Sequence, residues 1–146
     1  MVIITDRIYK GLHNGMDRVA YNLLVAKFQG AASAQTIINK YAIDDLKSVA
    51  PKMDFIIGIA PRDSGSKIVE KLTKAIATQY RKPSMMMDKG QTLTKAKAGK
   101  LKGCKVLIID DVIYTGKTMR IATKTLLNSG VSLVKNYALA KSKTYK

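Results

Sequence analysis

Several residue types are scarce in this 146-residue chain, and each scarcity excludes a class of protein. A single cysteine, Cys104, cannot form an internal disulfide, which excludes a disulfide-stapled scaffold. With only one histidine, His13, a zinc site of the Cys/His type is implausible as well. No apolar run reaches the roughly 18 residues of a membrane-spanning helix, and the first residues lack the apolar stretch of a secretion signal. We therefore expect an intracellular, cytoplasmic protein with no membrane partner.

Acidic residues are also scarce, which leaves the chain strongly basic. It has 26 Lys and Arg against 10 Asp and Glu, a formal net charge of +16. Such a field attracts phosphates, nucleotides and nucleic acid, although a lysine-rich surface also serves solubility alone. Nucleic acid is therefore a candidate partner that charge by itself does not establish. Hydrophobic residues make up 47% of the chain, enough for the core of a single domain over residues 1–146.

Strands and helices alternate along the chain from residue 53 onward. The predicted strands cover residues 54–60, 85–87, 106–109 and 131–140, and the predicted helices cover residues 66–80 and 118–128. The strand at 54–60 is continuously apolar, as expected of a strand buried on both faces of a parallel sheet. The alternation predicts an α/β fold, with a central, mostly parallel sheet flanked by helices and a core over residues 53–140.

The regions outside this alternation have weaker patterns. The first 50 residues predict a short strand near residues 2–4 and two helices, from residue 14 or 17 to about 28 and from Ser33 to about 46. Residues 88–103 are polar and carry five lysines and one acid, so we expect a flexible loop with no regular element there.

The segment from Asp110 to Thr118 carries the chemistry. Two adjacent acids, Asp110 and Asp111, follow the strand at 106–109, and ligands of open α/β sheets bind beyond the carboxyl ends of strands. Neighbouring carboxylates repel, and either the vicinal hydroxyls of a ribose or a magnesium ion would relieve that repulsion. Gly116 allows a close backbone approach to an anion, and the following helix directs its amino end at the loop. The segment predicts a site for a ribose 5-phosphate.

Each part of this segment also has a plain structural explanation. The two acids could be water-exposed strand ends, and Thr118 could be an ordinary helix N-cap. Their occurrence in one continuous run favours the ligand site. Gly116-Lys117-Thr118 matches the end of a Walker A loop, but that motif needs glycine at position 111, where this chain has Asp111.

Residues 106–118, VLIIDDVIYTGKT, closely resemble the phosphoribosyl pyrophosphate (PRPP) signature of type I phosphoribosyltransferases. Met119 extends the match toward the hypoxanthine-guanine branch. The layout over residues 53–140 is also similar to the phosphoribosyltransferase-like proteins of the ComF competence group. The resemblance implies a type I phosphoribosyltransferase fold with a small N-terminal helical hood within residues 1–50.

The resemblance also implies residue roles. Asp110 and Asp111 would hold the ribose hydroxyls, bind Mg²⁺ that arrives with PRPP, and act in catalysis. The remaining PRPP-binding candidates are Tyr114, Thr115, Gly116, Lys117 and Thr118. A turn similar to the family's pyrophosphate loop comprises Pro61, Arg62, Asp63, Ser64 and Gly65, although a simple strand-to-helix connection would have the same composition. Lys95 and Lys97 lie where the family keeps its catalytic loop, and are either catalytic or solvated.

The implied function is transfer of ribose 5-phosphate from PRPP to a nitrogen nucleophile, a nucleobase or amine, with release of pyrophosphate. The alternative is a non-catalytic protein that binds PRPP or a nucleotide and acts in regulation or on DNA. The family also implies a homodimer. Tyr114 departs from the purine branch, which has an Asp that contacts the base at this position.

Overall fold

The structure, a computed structural model, describes residues 3–4, 8–9, 32–60, 67–88 and 93–142. The elements in these ranges are β1 (Ile3–Ile4), β2 (Ile8–Tyr9), α1 (Ala32–Asp45), β3 (Phe55–Ala60), α2 (Ile68–Tyr80), β4 (Ser84–Asp88), α3 (Lys95–Leu101), β5 (Lys105–Ile113), α4 (Lys117–Asn128) and β6 (Leu133–Ser142), with a short 3₁₀ turn at Ala50–Lys52. None of the helices in the described ranges is long and apolar enough to cross a membrane.

The strands form one sheet in the order β1-β6-β5-β3-β4, in which β2 also pairs with β6. Every pairing is parallel, which confirms the predicted α/β architecture. β1 and β2 continue the same register along β6, with Ile3 opposite Asn136 and Ile8 opposite Lys141. After β4 the chain crosses back over β3 to form β5, so the winding direction reverses between β3 and β5. Ligands of such sheets bind at this switch point.

Alternating side chains of β3 and β5 supply two core clusters, one on each face of the sheet. Ile56 and Leu107 pack under α1 and α2, whereas Ile57 and Ile108 pack under α3 and α4. All four side chains are fully buried. Burying an isoleucine or leucine contributes about 1.5–3 kcal/mol, so these strands anchor the loops at their carboxyl ends.

Helix α1 packs into the core against the sheet and α2. Ala34, Ile38 and Ala42 recur every fourth residue and are buried in the same cluster as α2. The Tyr137 hydroxyl of β6 donates a hydrogen bond to Asp45 Oδ2 at 2.6 Å, which ties the end of α1 to the sheet. This helix is therefore part of the core, and the small hood expected within residues 1–50 stays a prediction. The helix predicted between residue 14 or 17 and residue 28 lies outside the described residues.

Helix α3 corrects the expectation that residues 88–103 lack regular structure. Asp88 ends β4, and Lys95–Leu101 is helical. The Thr94 side chain caps α3 by accepting the Lys97 N–H at 3.2 Å, and Leu101 is fully buried against the sheet. A single anchoring residue gives almost no periodic signal in the sequence. The part of the predicted loop at residues 89–92 lies outside the described residues.

Candidate functional site

The site begins on β5, which extends beyond its predicted end. We expected a loop from Asp110 onward, but the pairing with β6 continues, with Asp110 opposite Ala138 and Ile113 opposite Lys141. Asp111 is the interruption, since no residue of β6 is paired with it. The Asp111 N–H donates to Asp110 Oδ1 at 2.8 Å. The Asp110 carboxylate therefore accepts a hydrogen bond from the backbone at this interruption, and β5 continues beyond it.

The direction of the β5 side chains changes across the two acids. Ile109 packs under α1 and α2, so strict alternation would send Ile113 to the same face. Instead Ile113 packs under α3 and α4, and Val112 takes the opposite face. The Val112 N–H donates to Asp111 Oδ1 at 2.7 Å within this shift. The acid pair thus coincides with a local irregularity of the strand, a feature common beside binding sites.

Gly116 shapes the turn that follows β5. It is the N-cap of α4 and has a φ of 81°, a left-handed conformation that side chains disfavour by about 1–2 kcal/mol. The Lys117 N–H donates to Thr115 Oγ1 at 3.3 Å. Helix α4 begins at Lys117, so Thr118 lies in its first turn and is not the N-cap. The amino end of α4 therefore faces the turn with the positive end of its dipole, which favours an anion.

A cavity of about 120 Å³, partly open to solvent, lies over this turn. Its lining comprises Asp110, Val112, Ile113, Tyr114, Thr115, Gly116, Lys117, Thr118 and Met119. The structure thus brings together six of the seven predicted PRPP-binding residues. The exception is Asp111, which is not part of the lining.

Asp111 acts on the site through Tyr114. Burial raises the pKa of the Tyr114 phenol above its usual value, and the negative charges of Asp111 and then Asp110 raise it further. The hydroxyl therefore keeps its proton at neutral pH and can donate a hydrogen bond. The ring is 55% exposed at the mouth of the cavity, where it can contact a ligand.

Arg120 is a site residue that the sequence analysis missed. Its Nη1 donates to the Thr115 carbonyl at 3.2 Å, so a guanidinium from the first turn of α4 reaches back to residues Thr115 to Thr118, which we call the anion loop. The contact fixes the loop and adds a positive charge beside it. The sequence did contain a signal for this residue. Arg120 is three residues after Lys117, which belongs to the motif, and residues three apart lie on the same side of a helix.

The other candidate residues are placed differently. Pro61, Arg62, Asp63, Ser64 and Gly65 lie outside the described residues. They follow Ala60, the last residue of β3, which is the strand beside β5. Lys95 and Lys97 are exposed on α3 and do not line the cavity.

The donor set suits magnesium. Carboxylate oxygens of Asp110 and Asp111 are hard ligands of the kind that Mg²⁺ prefers. In the described ranges no three His, Cys, Asp or Glu side chains come together as a metal cluster. Two carboxylates suit an ion that keeps several waters and takes further ligands from a phosphorylated substrate.

The comparisons with known proteins agree with this geometry. Residues 34–146 match the family model of the phosphoribosyl transferase domain. No functionally curated protein matches the sequence.

Solved structures with the same fold come from several organisms. A purine phosphoribosyltransferase from Pyrococcus horikoshii is 22% identical, with a TM-score of 0.53 over 73% of each chain. A hypothetical protein from Neisseria gonorrhoeae with bound ppGpp is 18% identical, with a TM-score of 0.58 over 80% of this chain and 73% of that one. An adenine phosphoribosyltransferase from Leishmania tarentolae is 16% identical, with a TM-score of 0.58 over 82% of this chain and 75% of that one. The family match covers most of the chain and contains the whole described site, and this protein belongs to the phosphoribosyl transferase domain family.

Proposed function

We propose that this protein transfers ribose 5-phosphate from PRPP to a nitrogen nucleophile and releases pyrophosphate. The observation that carries the proposal is one cavity lined both by Asp110 and by the anion loop from Thr115 to Thr118. A carboxylate next to a helix amino end matches the two ends of a ribose 5-phosphate. The carboxylate accepts hydroxyl protons, and the loop binds the phosphate.

The loop would bind the 5-phosphate through its backbone N–H groups and hydroxyls. Gly116 allows the phosphate to approach the backbone, while Lys117 and Arg120 supply positive charge. The proposed pyrophosphate turn, from Pro61 to Gly65, follows the neighbouring strand. In this arrangement β5 binds the part of PRPP that is transferred, and β3 carries the turn that meets the part that leaves.

The proposed chemistry is displacement at C1 of the ribose. The acceptor nitrogen forms a bond to C1, the bond from C1 to the pyrophosphate oxygen breaks with its electron pair, and the proton of the acceptor nitrogen is released to pyrophosphate or to solvent. Asp110 and Asp111 would stabilise positive charge that develops on the ribose. Arg62, with Lys95 and Lys97 from α3, would stabilise the negative charge of the leaving group. Bound magnesium would neutralise the charge on pyrophosphate.

Tyr114 is the proposed contact for the acceptor. Its hydroxyl is protonated at neutral pH, as in any tyrosine, so it can donate to a ring nitrogen or carbonyl, and its exposed ring can stack. The names of two structural neighbours, a purine and an adenine phosphoribosyltransferase, support a nucleobase as the first class of acceptor to test. A homodimer, which the family resemblance implies, can be tested by sedimentation on the same samples.

The decisive experiment is calorimetric titration of PRPP with magnesium. The test variant combines Asp110→Asn with Asp111→Asn. The chain offers a matched control in Asp44→Asn with Glu70→Gln, two solvent-accessible acids on the side of the sheet covered by α1 and α2. Both variants lose two negative charges, so net charge alone affects them equally.

We expect saturable, magnesium-dependent binding in the unmodified protein and in the control, and loss of binding in the test variant. Release of pyrophosphate on addition of a nucleobase or amine would establish transfer. Equal binding by both variants would refute the assignment of the acid pair to the ribose.

A second candidate function is nucleotide binding without transfer. The neighbour from Neisseria gonorrhoeae has ppGpp bound, which supports a site of this fold that takes a nucleotide carrying several phosphates. Titration of ppGpp and of nucleoside monophosphates with the same pair of variants distinguishes the two. Binding of nucleotides without pyrophosphate release from PRPP, across a panel of bases and amines, would favour this candidate.

A further inference from the structure

The positive charge of this protein is concentrated in its last part. From residue 89 to residue 146 the sequence contains 13 Lys and Arg, and its only acids are Asp110 and Asp111. Both acids lie at the candidate site. The rest of this segment therefore has no acid to balance its basic residues, unlike the first 88 residues, which contain 13 Lys and Arg and eight acids.

Many of these basic residues lie on two helices that cover the same face of the sheet. Leu101 of α3 and Leu126 of α4 are buried in one core cluster. The Gly103 N–H donates to the Gly130 carbonyl at 2.8 Å, which joins the carboxyl ends of the two helices. We define the α3–α4 face as the outer side of these helices. Its exposed basic residues are Lys95, Lys97, Lys100, Lys102, Lys117, Arg120 and Lys124.

The ion pairs between described residues lie elsewhere. Lys47 pairs with Asp44 and Lys74 pairs with Glu70, both on the side of the sheet covered by α1 and α2. The same ranges give the basic residues of the α3–α4 face no acidic partner. The electrostatic potential over this face is consequently positive, which attracts a polyanion.

A groove on α4 adds groups other than charge. It is lined by Arg120, Thr123, Lys124, Leu127 and Asn128, is open to solvent, and has a volume of about 240 Å³. Arginine, lysine, threonine and asparagine are residue types that contact phosphate and sugar in nucleic-acid complexes. Leu127 is 48% exposed and offers an apolar contact in the same groove.

We propose that the α3–α4 face binds the sugar-phosphate backbone of a nucleic acid, independently of its sequence. Lys117, Arg120 and Lys124 follow the outer side of α4 at intervals of three and four residues, so they form a stripe of roughly 10 Å along the helix. Lys100 and Lys102 extend the charge onto α3. Lys95, Lys97, Lys117 and Arg120 also have roles in the proposed transferase site, but binding of a nucleic-acid backbone does not depend on transferase activity.

An anionic membrane fits the face less well. Membrane-surface helices insert a broad apolar side, but the apolar side of α4 is already buried through Met119, Ala122 and Leu126. Only Ile121 and Leu127 remain as exposed large apolar residues of α4. The observations therefore favour an extended phosphate backbone over a lipid surface.

The test compares two triple variants that lose the same charge. One combines Lys100→Gln, Lys102→Gln and Lys124→Gln on the α3–α4 face, all outside the proposed PRPP site. The matched control combines Lys40→Gln, Lys52→Gln and Lys71→Gln, which are exposed on the opposite side. Fluorescence anisotropy would measure binding of labelled single strands and duplexes of about 20 nucleotides, longer than a typical single-strand site.

Salt dependence supplies the quantitative outcome. Each phosphate neutralised contributes about 0.7 to 0.9 to the slope of log affinity against log salt concentration. We expect the α3–α4 variant to reduce that slope by about 2 to 3, and the control to change it by less than about 1. Unchanged PRPP calorimetry and thermal melting would show that both variants retain the fold and the other site.

Three outcomes would overturn the proposal. No binding at about 50 mM salt would remove it outright. Equal effects of the two triple variants would assign the binding to net charge alone. Equally tight binding of polyglutamate or of vesicles rich in anionic lipid would show a surface that recognises any polyanion and not a nucleic acid.

Discussion

A methyl group added at Gly58 should destabilise the protein, because β3 and α2 touch at this residue. A Cβ built on Gly58 would overlap Thr73 Oγ1 and lie 2.7 Å from Met86 Sδ. Thr73 is buried and its hydroxyl donates to the Val69 carbonyl at 2.7 Å, so its stiff, β-branched side chain is held in place. The methionine can move more easily, but the threonine overlap remains.

Overpacking of this kind costs about 1–3 kcal/mol. For a chain of this size each kcal/mol lowers the melting temperature by roughly 2–4 °C. We therefore expect Gly58→Ala to melt about 2–12 °C below the unmodified protein in a calorimetric or circular-dichroism scan.

The same substitution at Gly99 is the matched control. Gly99 lies inside α3, and a Cβ built there meets nothing within 4 Å. Gly99→Ala should raise the free energy of unfolding by about 0.5–1 kcal/mol, because alanine costs less backbone entropy in a helix. Adding Thr73→Ala to Gly58→Ala should recover part of the loss by removing Oγ1. A Gly58→Ala protein as stable as the unmodified one would refute this account of the β3–α2 contact.

Three further predictions concern the site and α3. Asp111→Asn should lower the pKa of Tyr114 toward its usual value, so phenolate absorbance should appear at lower pH in that variant. The Tyr114→Phe variant identifies which part of the absorbance belongs to Tyr114. An unchanged titration would contradict the electrostatic cause. Arg120→Gln should weaken PRPP binding about fivefold in calorimetry, the loss of roughly 1 kcal/mol for one hydrogen bond, and an unchanged affinity would exclude Arg120 as a loop-positioning residue. Thr94→Ala should destabilise α3 by about 0.5–2 kcal/mol, seen as faster amide exchange at Lys97 and its neighbours, whereas unchanged exchange would mean that burial of Leu101 alone maintains the helix.

The parallel sheet could be predicted because its central strands, β3 and the first half of β5, are buried on both faces and give continuous apolar runs. The strands predicted at residues 54–60, 85–87, 106–109 and 131–140 all coincide with strands of the structure to within a few residues. The sequence predicted the ends of the strands less accurately than their existence. β5 continues through Asp110 and Asp111 because pairing with β6 outweighs the polarity of the two acids, and pairing between distant segments has no local signature in the sequence.

Helix α3 was missed for a related reason. Its seven residues include three lysines and Gly99, and only Leu101 is buried. A helix this short is marginal without tertiary contacts. What stabilises it is the Thr94 cap and the insertion of Leu101 into the core under α4. The cap could have been considered from the sequence, but the insertion depends on the position of a helix that begins sixteen residues later.

The candidate site also has one part that depends on neighbouring residues in the sequence and another part that depends on distant segments of the chain. The anion loop could be predicted because Gly116, Thr115 and the start of α4 are contiguous, and each backbone feature depends on its immediate neighbours. The acceptor could not be predicted, because its contacts must come from segments that meet only in the folded chain. Tyr114 is the part of that contact which the loop itself supplies, and its phenol, which is protonated at neutral pH, can donate a hydrogen bond. An acceptor should therefore present a lone pair toward the mouth of the cavity. Loss of selectivity among acceptors in Tyr114→Phe, with PRPP affinity retained, is the result that this reasoning requires.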